Sequence, residues 1–121
     1  MFRVRSYSAW RQGSKYKNKR TKTEHGTFQS KFEAKVGGDY EMMKKAGEIK
    51  GYECQSKVSL DVNGYHICNY YLDFKVEHND GTIEWIEVKG FETPLWKLKA
   101  KLFEAIYIYA HPQEKYTIVR R

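Results

Sequence analysis

The chain has 121 residues and a mass of 14.4 kDa, enough for one domain with a real core and too little for two. Its 22 Lys and Arg residues against 15 Asp and Glu residues give a net charge of +7. No apolar run approaches a bilayer span and no secretory signal opens the chain, so we expect a cytoplasmic protein without a membrane partner. The two cysteines are too few for a disulfide framework.

The basic charge is concentrated at the N-terminus. Every charged residue before Glu24 is basic, so residues 1–23 carry +8 and the remainder carries −1. Residues 1–18 have few aliphatic side chains, which predicts a flexible basic arm before a single domain at residues 19–121. Aromatic residues among the cations suit stacking on bases, and a solvated tail is the alternative. The predicted nucleic-acid contacts of this region are Arg3, Arg5, Arg11, Lys15, Lys17, Lys19, Arg20 and Lys22.

A short strand near residues 19–24 is followed by the first predicted helix, residues 30–46. Ser30 and Glu33 form a capping box at its start, and Gly47 stops it. Two adjacent glycines in its middle predict a kink or a close approach of another backbone segment, because each Gly costs about 1 kcal/mol relative to Ala. The apolar positions at helical spacing are Phe28, Phe32, Val36 and Met43.

Three strands are predicted at residues 52–62, 68–77 and 82–89. A second helix follows, capped by Thr93, and a last strand covers residues 116–119. The order helix, three-stranded antiparallel meander, helix, strand predicts an α/β fold. The apolar face of the second helix comprises Leu95, Leu98, Leu102, Ala105 and Ile106.

Core packing chooses between two possible loops joining the second and third strands. A two-residue loop at residues 80–81 would scatter the charged side chains over both faces of the sheet. A three-residue loop at residues 79–81, with Gly81 in the left-handed conformation, pairs Asp73 with Glu87. We favour the second register because it aligns the apolar side chains. The pairs it forms are Leu72 with Val88, Phe74 with Ile86, and Val76 with Glu84.

Asp73, Glu87 and Lys89 then lie close together on apolar strands, where ionised groups are expensive to bury without partners. A divalent cation would be such a partner for the carboxylates, and the Lys89 amine would position or polarise an attacking water. Structural ion pairs are the alternative. In the first hairpin, matching the apolar parity requires a β-bulge or a longer loop, which brings Gln55 to the Asp73 face.

Five segments together resemble the PD-(D/E)XK nuclease superfamily, from about Lys15 to the C-terminus. Their residues are Gly26-x-Phe28-x-Ser30-Lys31-x-Glu33-Ala34, Lys45-Ala46-Gly47-Glu48-Ile49 followed by Gln55, Asp73-Phe74, Glu87-Val88-Lys89-Gly90, and Leu98-Lys99-x-Lys101-Leu102-Phe103. The chain looks most like a family of small phage-encoded endonucleases, formerly of unknown function. It is also similar to phage endonucleases that resolve Holliday junctions. The resemblance implies a restriction-endonuclease-like αβββαβ core.

The resemblance also implies a set of catalytic residues. Asp73, Glu87 and Glu33 would bind Mg²⁺, for which Mn²⁺ would substitute, and Lys89 would position or polarise the attacking water. Leu72 stands where the motif has Pro. Glu33 has a second reading as the capping-box residue of the first helix.

The implied function is an endonuclease that hydrolyses phosphodiester bonds in branched DNA during phage recombination or replication. A homodimer in the host cytoplasm is the expected form. Gln55, Lys97 and Lys101 are the further candidates for nucleic-acid contact, the two lysines lying one turn apart on the second helix. The alternatives are a non-catalytic nucleic-acid-binding module on a nuclease scaffold and a basic adaptor protein.

Overall fold

The structure, a computed structural model, describes the backbone of residues 21–23 and 26–28 and both backbone and side chains of residues 31–120. The predicted arm, residues 1–18, lies outside the described residues. Two short strands come first, β1 (Thr21–Thr23) and β2 (Gly26–Phe28). The remaining elements are α1 (Lys31–Lys45), β3 (Ile49–Val62), β4 (Tyr65–His78), β5 (Ile83–Lys89), α2 (Pro94–Phe103), a π-helical turn (Glu104–Ile108) that extends α2, and β6 (Lys115–Arg120).

Four strands form the main sheet in the order β3-β4-β5-β6. The first three are an antiparallel meander, and β6 pairs in parallel with β5 because α2 carries the chain back. The predicted α/β architecture, with two helices and a four-stranded sheet, is confirmed. A separate hairpin of β1 and β2 pairs Thr21 with Phe28, so Phe28, which continues the helical spacing, lies in a strand before the first helix. In the described part of the chain no helix has the length and apolar character needed to cross a membrane.

Helix α1 runs without interruption through Gly37 and Gly38. It ends as predicted at Gly47, whose φ of 77° is left-handed. The Glu48 amide donates to the Met43 carbonyl at 2.8 Å, which satisfies one carbonyl of the last turn. At its other end, the first turn of the helix, which contains Glu33, lies beside the sheet.

The β4–β5 loop has the predicted three-residue form. The His78 amide donates to the Thr82 carbonyl at 2.9 Å, and Gly81 has a φ of 89°. The register predicted from the apolar residues is confirmed where the strands pair, since Phe74 lies opposite Ile86. Turn chemistry and core packing thus specify the same alignment.

Gly81→Ala is expected to destabilise the protein by about 1 to 2 kcal/mol, because an L-residue is strained at this φ. A Cβ at Gly81 meets nothing within 4 Å, so the cost is conformational and not steric. Gly38→Ala is the matched control, since its Cβ also meets nothing within 4 Å. In helical backbone the added methyl should stabilise by up to about 1 kcal/mol. Urea unfolding of both variants measures the difference, and equal effects of the two substitutions would contradict this account.

The β3–β4 hairpin contains the expected β-bulge. Asn63 and Gly64 form its two-residue turn with positive φ angles of 53° and 83°. Leu60 lies opposite Cys68, but the next pair toward the turn is one residue out of step, which leaves Ile67 as the extra residue. The bulge keeps Leu60 on the core face, where it is fully buried.

The apolar side chains form two core clusters, one with α2 and one with α1. Leu72 belongs to the first and Phe74 to the second, and burial alternates along β4 so that both are buried while Asp73 between them is not fully so. The β3 residue between their partners, Gln55, has a φ of 54°, although the β3–β4 register is the same on both sides of it. Asp73 therefore lies where β4 passes from one cluster to the other. The α2 cluster comprises Leu60, Tyr70, Leu72, Trp85, Trp96, Ala100 and Phe103, and the α1 cluster comprises Ile49, Phe74, Val76 and Ile86.

Helix α2 and its extension pack only part of the face that leucine spacing predicts: Leu102 and Ile106 pack against the α2 cluster, whereas Ala105 is exposed. Leu95 and Leu98 are 51% and 57% exposed, so their assignment to a packed face is wrong. The buried positions are Trp96, Ala100 and Phe103. The Phe103 ring packs edge-on against Tyr70 and Trp85, and the larger aromatic area outweighs the leucine pattern.

Candidate active site

Three carboxylates from three separate elements, Glu33, Asp73 and Glu87, form what we call the carboxylate cluster. Glu33 lies in the first turn of α1, Asp73 in the middle of β4 and Glu87 near the end of β5. Glu33 and Glu87 are only 4% and 2% exposed. Buried acidic side chains are rare without partners, so the cluster needs an electrostatic explanation.

Asp73 is held by the backbone of the neighbouring strand. The β4–β5 pairing ends at Phe74 opposite Ile86, so the neighbouring Asp73 lies just outside the paired part of the ladder. Beyond that point the Val88 amide donates to Asp73 Oδ2 at 2.7 Å. The Asp73 carboxylate thus accepts a hydrogen bond from a β5 amide at the point where the β4–β5 pairing has ended. This bond fixes the orientation of the carboxylate beside Glu87.

Gln55 connects two members of the cluster. Its Nε2 donates to Glu33 Oε2 at 2.8 Å and to Asp73 Oδ1 at 3.3 Å. The positive φ of this residue, 54°, is uncommon for a residue other than Gly and costs of order 1 kcal/mol. Such strain is characteristic of functional sites, and here it accompanies the orientation of the amide between two carboxylates. Sequence parity had predicted Gln55 on the Asp73 face, and the structure brings the two together.

Glu87 is held from the opposite side by aromatic donors. Its Oε2 accepts from Trp96 Nε1 at 2.8 Å and from the Tyr70 hydroxyl at 3.1 Å. The Tyr70 hydroxyl also lies 2.7 Å from that of Tyr116. Glu87 Oε1 is buried and has no hydrogen-bond partner among the described residues. One oxygen of this carboxylate thus has two donors, and the other has none unless Asp73 is protonated, since a side-chain hydrogen bond between Asp73 and Glu87 also raises the pKa of Asp73.

The electrostatics of the cluster disfavour three negative charges. Burial raises the pKa of the Asp73 carboxyl well above its usual range, and the charges of Glu87 and Glu33 raise it further. The Val88 amide acts in the other direction without cancelling them. The same environment, through burial and then the charges of Glu33 and Asp73, raises the pKa of the Cys54 thiol to about 11. A proton or a cation is needed to compensate the cluster.

The donor set fits a hard divalent cation. Carboxylate oxygens are the ligands that Mg²⁺ prefers, and the unsatisfied Glu87 oxygen is available for one. As they are arranged in residues 31–120, however, no group of three or more His, Cys, Asp or Glu side chains could hold a metal ion. The cluster is instead held by hydrogen bonds from Gln55, Val88 and Trp96, which orient its members from outside.

Lys89 lies near the cluster but not in its hydrogen-bond network. Its Nζ is 5.0 Å from the centre of the Trp96 ring, a cation–π contact. Lys97 and Lys101 are exposed on α2, as expected for residues that would meet a large ligand. The side chains predicted to contact nucleic acid from the basic N-terminal region, Arg3 to Lys22, lie outside the described residues.

Three residues of the site were missed by sequence reasoning: Tyr70, Trp96 and Tyr116. The only local signal was the position of Trp96 in the capped first turn of the helix that follows the Glu-x-Lys strand. Leucine spacing drew attention to another face of that helix. The two tyrosines carry no local signal, because their hydroxyls meet Glu87 only after β4, β5 and β6 pair.

Comparison with known proteins identifies a family. A family model described as Protein of unknown function (DUF1064) matches residues 13–119. No curated protein and no solved structure matches the chain. Since the matched segment includes every element of the sheet and both helices, the chain belongs to the DUF1064 family.

Proposed function

We propose that the protein is a Mg²⁺-dependent DNA endonuclease. The observation that carries the proposal is the convergence of Glu33, Asp73 and Glu87, with one buried Glu87 oxygen left without a donor. A binding module gains nothing from buried carboxylates facing a polyanion, whereas hydrolysis of a phosphodiester uses them to hold a metal. The order helix, meander, helix and strand supports a restriction-endonuclease-like core.

Each residue of the candidate site has a role in this proposal. Asp73, Glu87 and Glu33 would hold the metal, which when bound lowers the pKa of a water and stabilises charge on the phosphate. The Val88 amide and the Gln55 side chain orient Asp73. Lys89, kept beside the cluster by the Trp96 ring, would position the attacking water. The exposed Lys97 and Lys101 would contact the DNA backbone.

Branched DNA is the proposed substrate and a homodimer the proposed form. A chain of 121 residues offers little surface for a four-way junction, and two symmetric strands need two active sites. The basic N-terminal region would add affinity that does not depend on sequence. The carboxylate cluster itself carries no excess of positive charge, so substrate attraction has to come from elsewhere in the chain.

The proposal is tested with purified protein on a four-way junction, a flap, a linear duplex and single-stranded DNA, each with Mg²⁺ or EDTA. We expect cleavage of branched DNA with Mg²⁺ and none in EDTA. Glu87→Gln, prepared in the same way, should be inactive and so excludes a contaminating nuclease. Cleavage in EDTA would refute the mechanism. Binding of all four substrates without cleavage would favour the non-catalytic nucleic-acid-binding module.

Gln55 offers a test of the strained bridge. Gln55→Gly and Gln55→Ala both remove the amide that joins Glu33 to Asp73, and each should slow cleavage about tenfold or more, as for other residues that orient metal ligands. Only Gly adopts the positive φ freely, so Gln55→Gly should be more stable than Gln55→Ala by about 1 kcal/mol. Cleavage rates and urea unfolding separate the two effects. Full activity of Gln55→Gly would show that the amide is dispensable.

A further inference from the structure

The two oxygens of Glu87 differ sharply in their surroundings. Oε2 accepts hydrogen bonds from Trp96 Nε1 and the Tyr70 hydroxyl, whereas Oε1 is buried and has no partner among the described residues. Leaving a buried carboxylate oxygen unsatisfied is costly. With Asp73 protonated, its carboxyl shares a hydrogen bond with Glu87, and a cation would take the place of that proton. An arrangement that fixes one oxygen and leaves the other to a proton or a cation is what a monodentate metal ligand requires.

Trp96 is the donor that determines this arrangement. Its indole has one N–H and cannot accept a hydrogen bond, so it is always the donor, and Glu87 Oε2 at 2.8 Å is the nearer of its two acceptors. The Tyr70 hydroxyl is shared, because it also receives the Trp96 N–H at 3.0 Å and lies 2.7 Å from the Tyr116 hydroxyl. A hydroxyl with one proton cannot donate to both Glu87 and Tyr116.

The position of the indole is itself fixed. Trp96 is 5% exposed, and its backbone amide donates to the Thr93 side chain at 3.1 Å in the N-cap of α2. Pro94 occupies the first turn of the same helix. Cap, proline and core packing together leave the ring little freedom, so the N–H is a rigid reference point for the Glu87 carboxylate.

We propose that Trp96 is a positioning residue that turns Glu87 so that Oε1 is the oxygen offered to the divalent cation. The inference rests on the proposed function, since it assumes a metal at the carboxylate cluster. Trp96 acts through Glu87 and touches neither metal nor substrate. Residues that hold metal ligands from outside in this way commonly account for a difference of roughly ten- to hundredfold in metal affinity, and a loss of that order is expected here.

The test compares Trp96→Phe with Trp85→Phe in the full chain. Both substitutions remove a buried indole from the same core cluster. Trp85 Nε1 donates to Glu114 at 2.7 Å, so the control loses a comparable hydrogen bond away from the carboxylate cluster. Isothermal titration with Mg²⁺ and with Mn²⁺ should show at least about tenfold weaker binding for Trp96→Phe and an unchanged affinity for Trp85→Phe.

A second readout follows the indole N–H resonances by ¹H–¹⁵N NMR. The resonance absent from Trp96→Phe identifies Trp96 in the wild type. Adding Mg²⁺ should shift this resonance and leave that of Trp85 unchanged. If Trp96→Phe fails to fold, Trp85→Phe and Trp10→Phe identify the other two indole resonances, and the remaining one belongs to Trp96. The shift of that resonance in wild type then tests the positioning role by itself.

The outcomes separate this inference from the proposed function. If wild type binds no Mg²⁺ and no resonance shifts, both are refuted. If wild type binds Mg²⁺ and Trp96→Phe binds it equally well, or the Trp96 resonance does not move, only the positioning role is refuted. Equal losses of affinity in Trp96→Phe and Trp85→Phe would also refute it, because they indicate general damage to the core.

Discussion

Asp73→Asn is expected to abolish cleavage and to make the metal-free protein more stable. The activity should fall roughly a thousandfold, because loss of a metal ligand removes about 4 kcal/mol of transition-state stabilisation. The stability should rise by about 1 kcal/mol or more, since a buried charge is removed from beside two others. Asparagine can still accept from the Val88 amide and offers an N–H to neighbouring carboxylate oxygens.

The stability gain should depend on pH in a defined direction. Burial, followed by the charges of Glu87 and Glu33, raises the pKa of Asp73 in the folded protein. Folded wild type therefore binds a proton more tightly than the unfolded chain, and its stability falls as pH rises from about 4 through the folded pKa. The advantage of Asp73→Asn in EDTA should be absent near pH 4 and complete above the folded pKa.

Thermal unfolding in EDTA at several pH values measures this gain, with about 4 °C expected for each kcal/mol. Asp39→Asn is the matched control. It makes the same change in net charge at an exposed side chain that pairs with Lys35 at 3.4 Å, where the effect on stability should be small. A melting temperature of Asp73→Asn at or below that of wild type at neutral pH would contradict the idea of a strained carboxylate cluster.

Deleting residues 1–18 is expected to weaken DNA binding strongly while leaving the chemistry intact. The deletion removes five cations, Arg3, Arg5, Arg11, Lys15 and Lys17. If each contacts a phosphate, the slope of log affinity against log salt should become less steep by about 4.5, at roughly 0.9 per contact on duplex DNA. The rate at saturating enzyme should be retained, because the carboxylate cluster lies in β4, β5 and α1.

The measurement is DNA affinity over a range of salt concentrations, together with single-turnover cleavage. A full-length variant with the same five residues changed to Gln separates charge from length, and it should reproduce the shallower slope. Aromatic stacking on bases would remain in that variant and is lost in the deletion. An unchanged salt slope in both variants would place the DNA contacts elsewhere, and complete loss of function at any enzyme concentration would favour the basic adaptor.

Local rules predicted much of the framework. The Asn79 to Gly81 loop, the N-cap at Thr93 and the helix stop at Gly47 each depend on residues within a few positions, so turn and capping chemistry determine them. The register followed from the loop and from the apolar pairs, and it brought Asp73 beside Glu87. That proximity is the part of the candidate site that strand period and turn length predict by themselves.

The rest depended on side chains that are distant in sequence. Leucine spacing wrongly placed Leu95 and Leu98 on the packed face of α2, because the aromatic rings of the core have more apolar area to bury than these leucines. The left-handed backbone of Gln55 and the indole bond of Trp96 to Glu87 follow from no local pattern. The sequence determined which carboxylates could meet, because strand period and turn length are local properties. Only tertiary packing decided how each carboxylate is held and which Glu87 oxygen is left without a donor, because those contacts join α1, α2 and three strands.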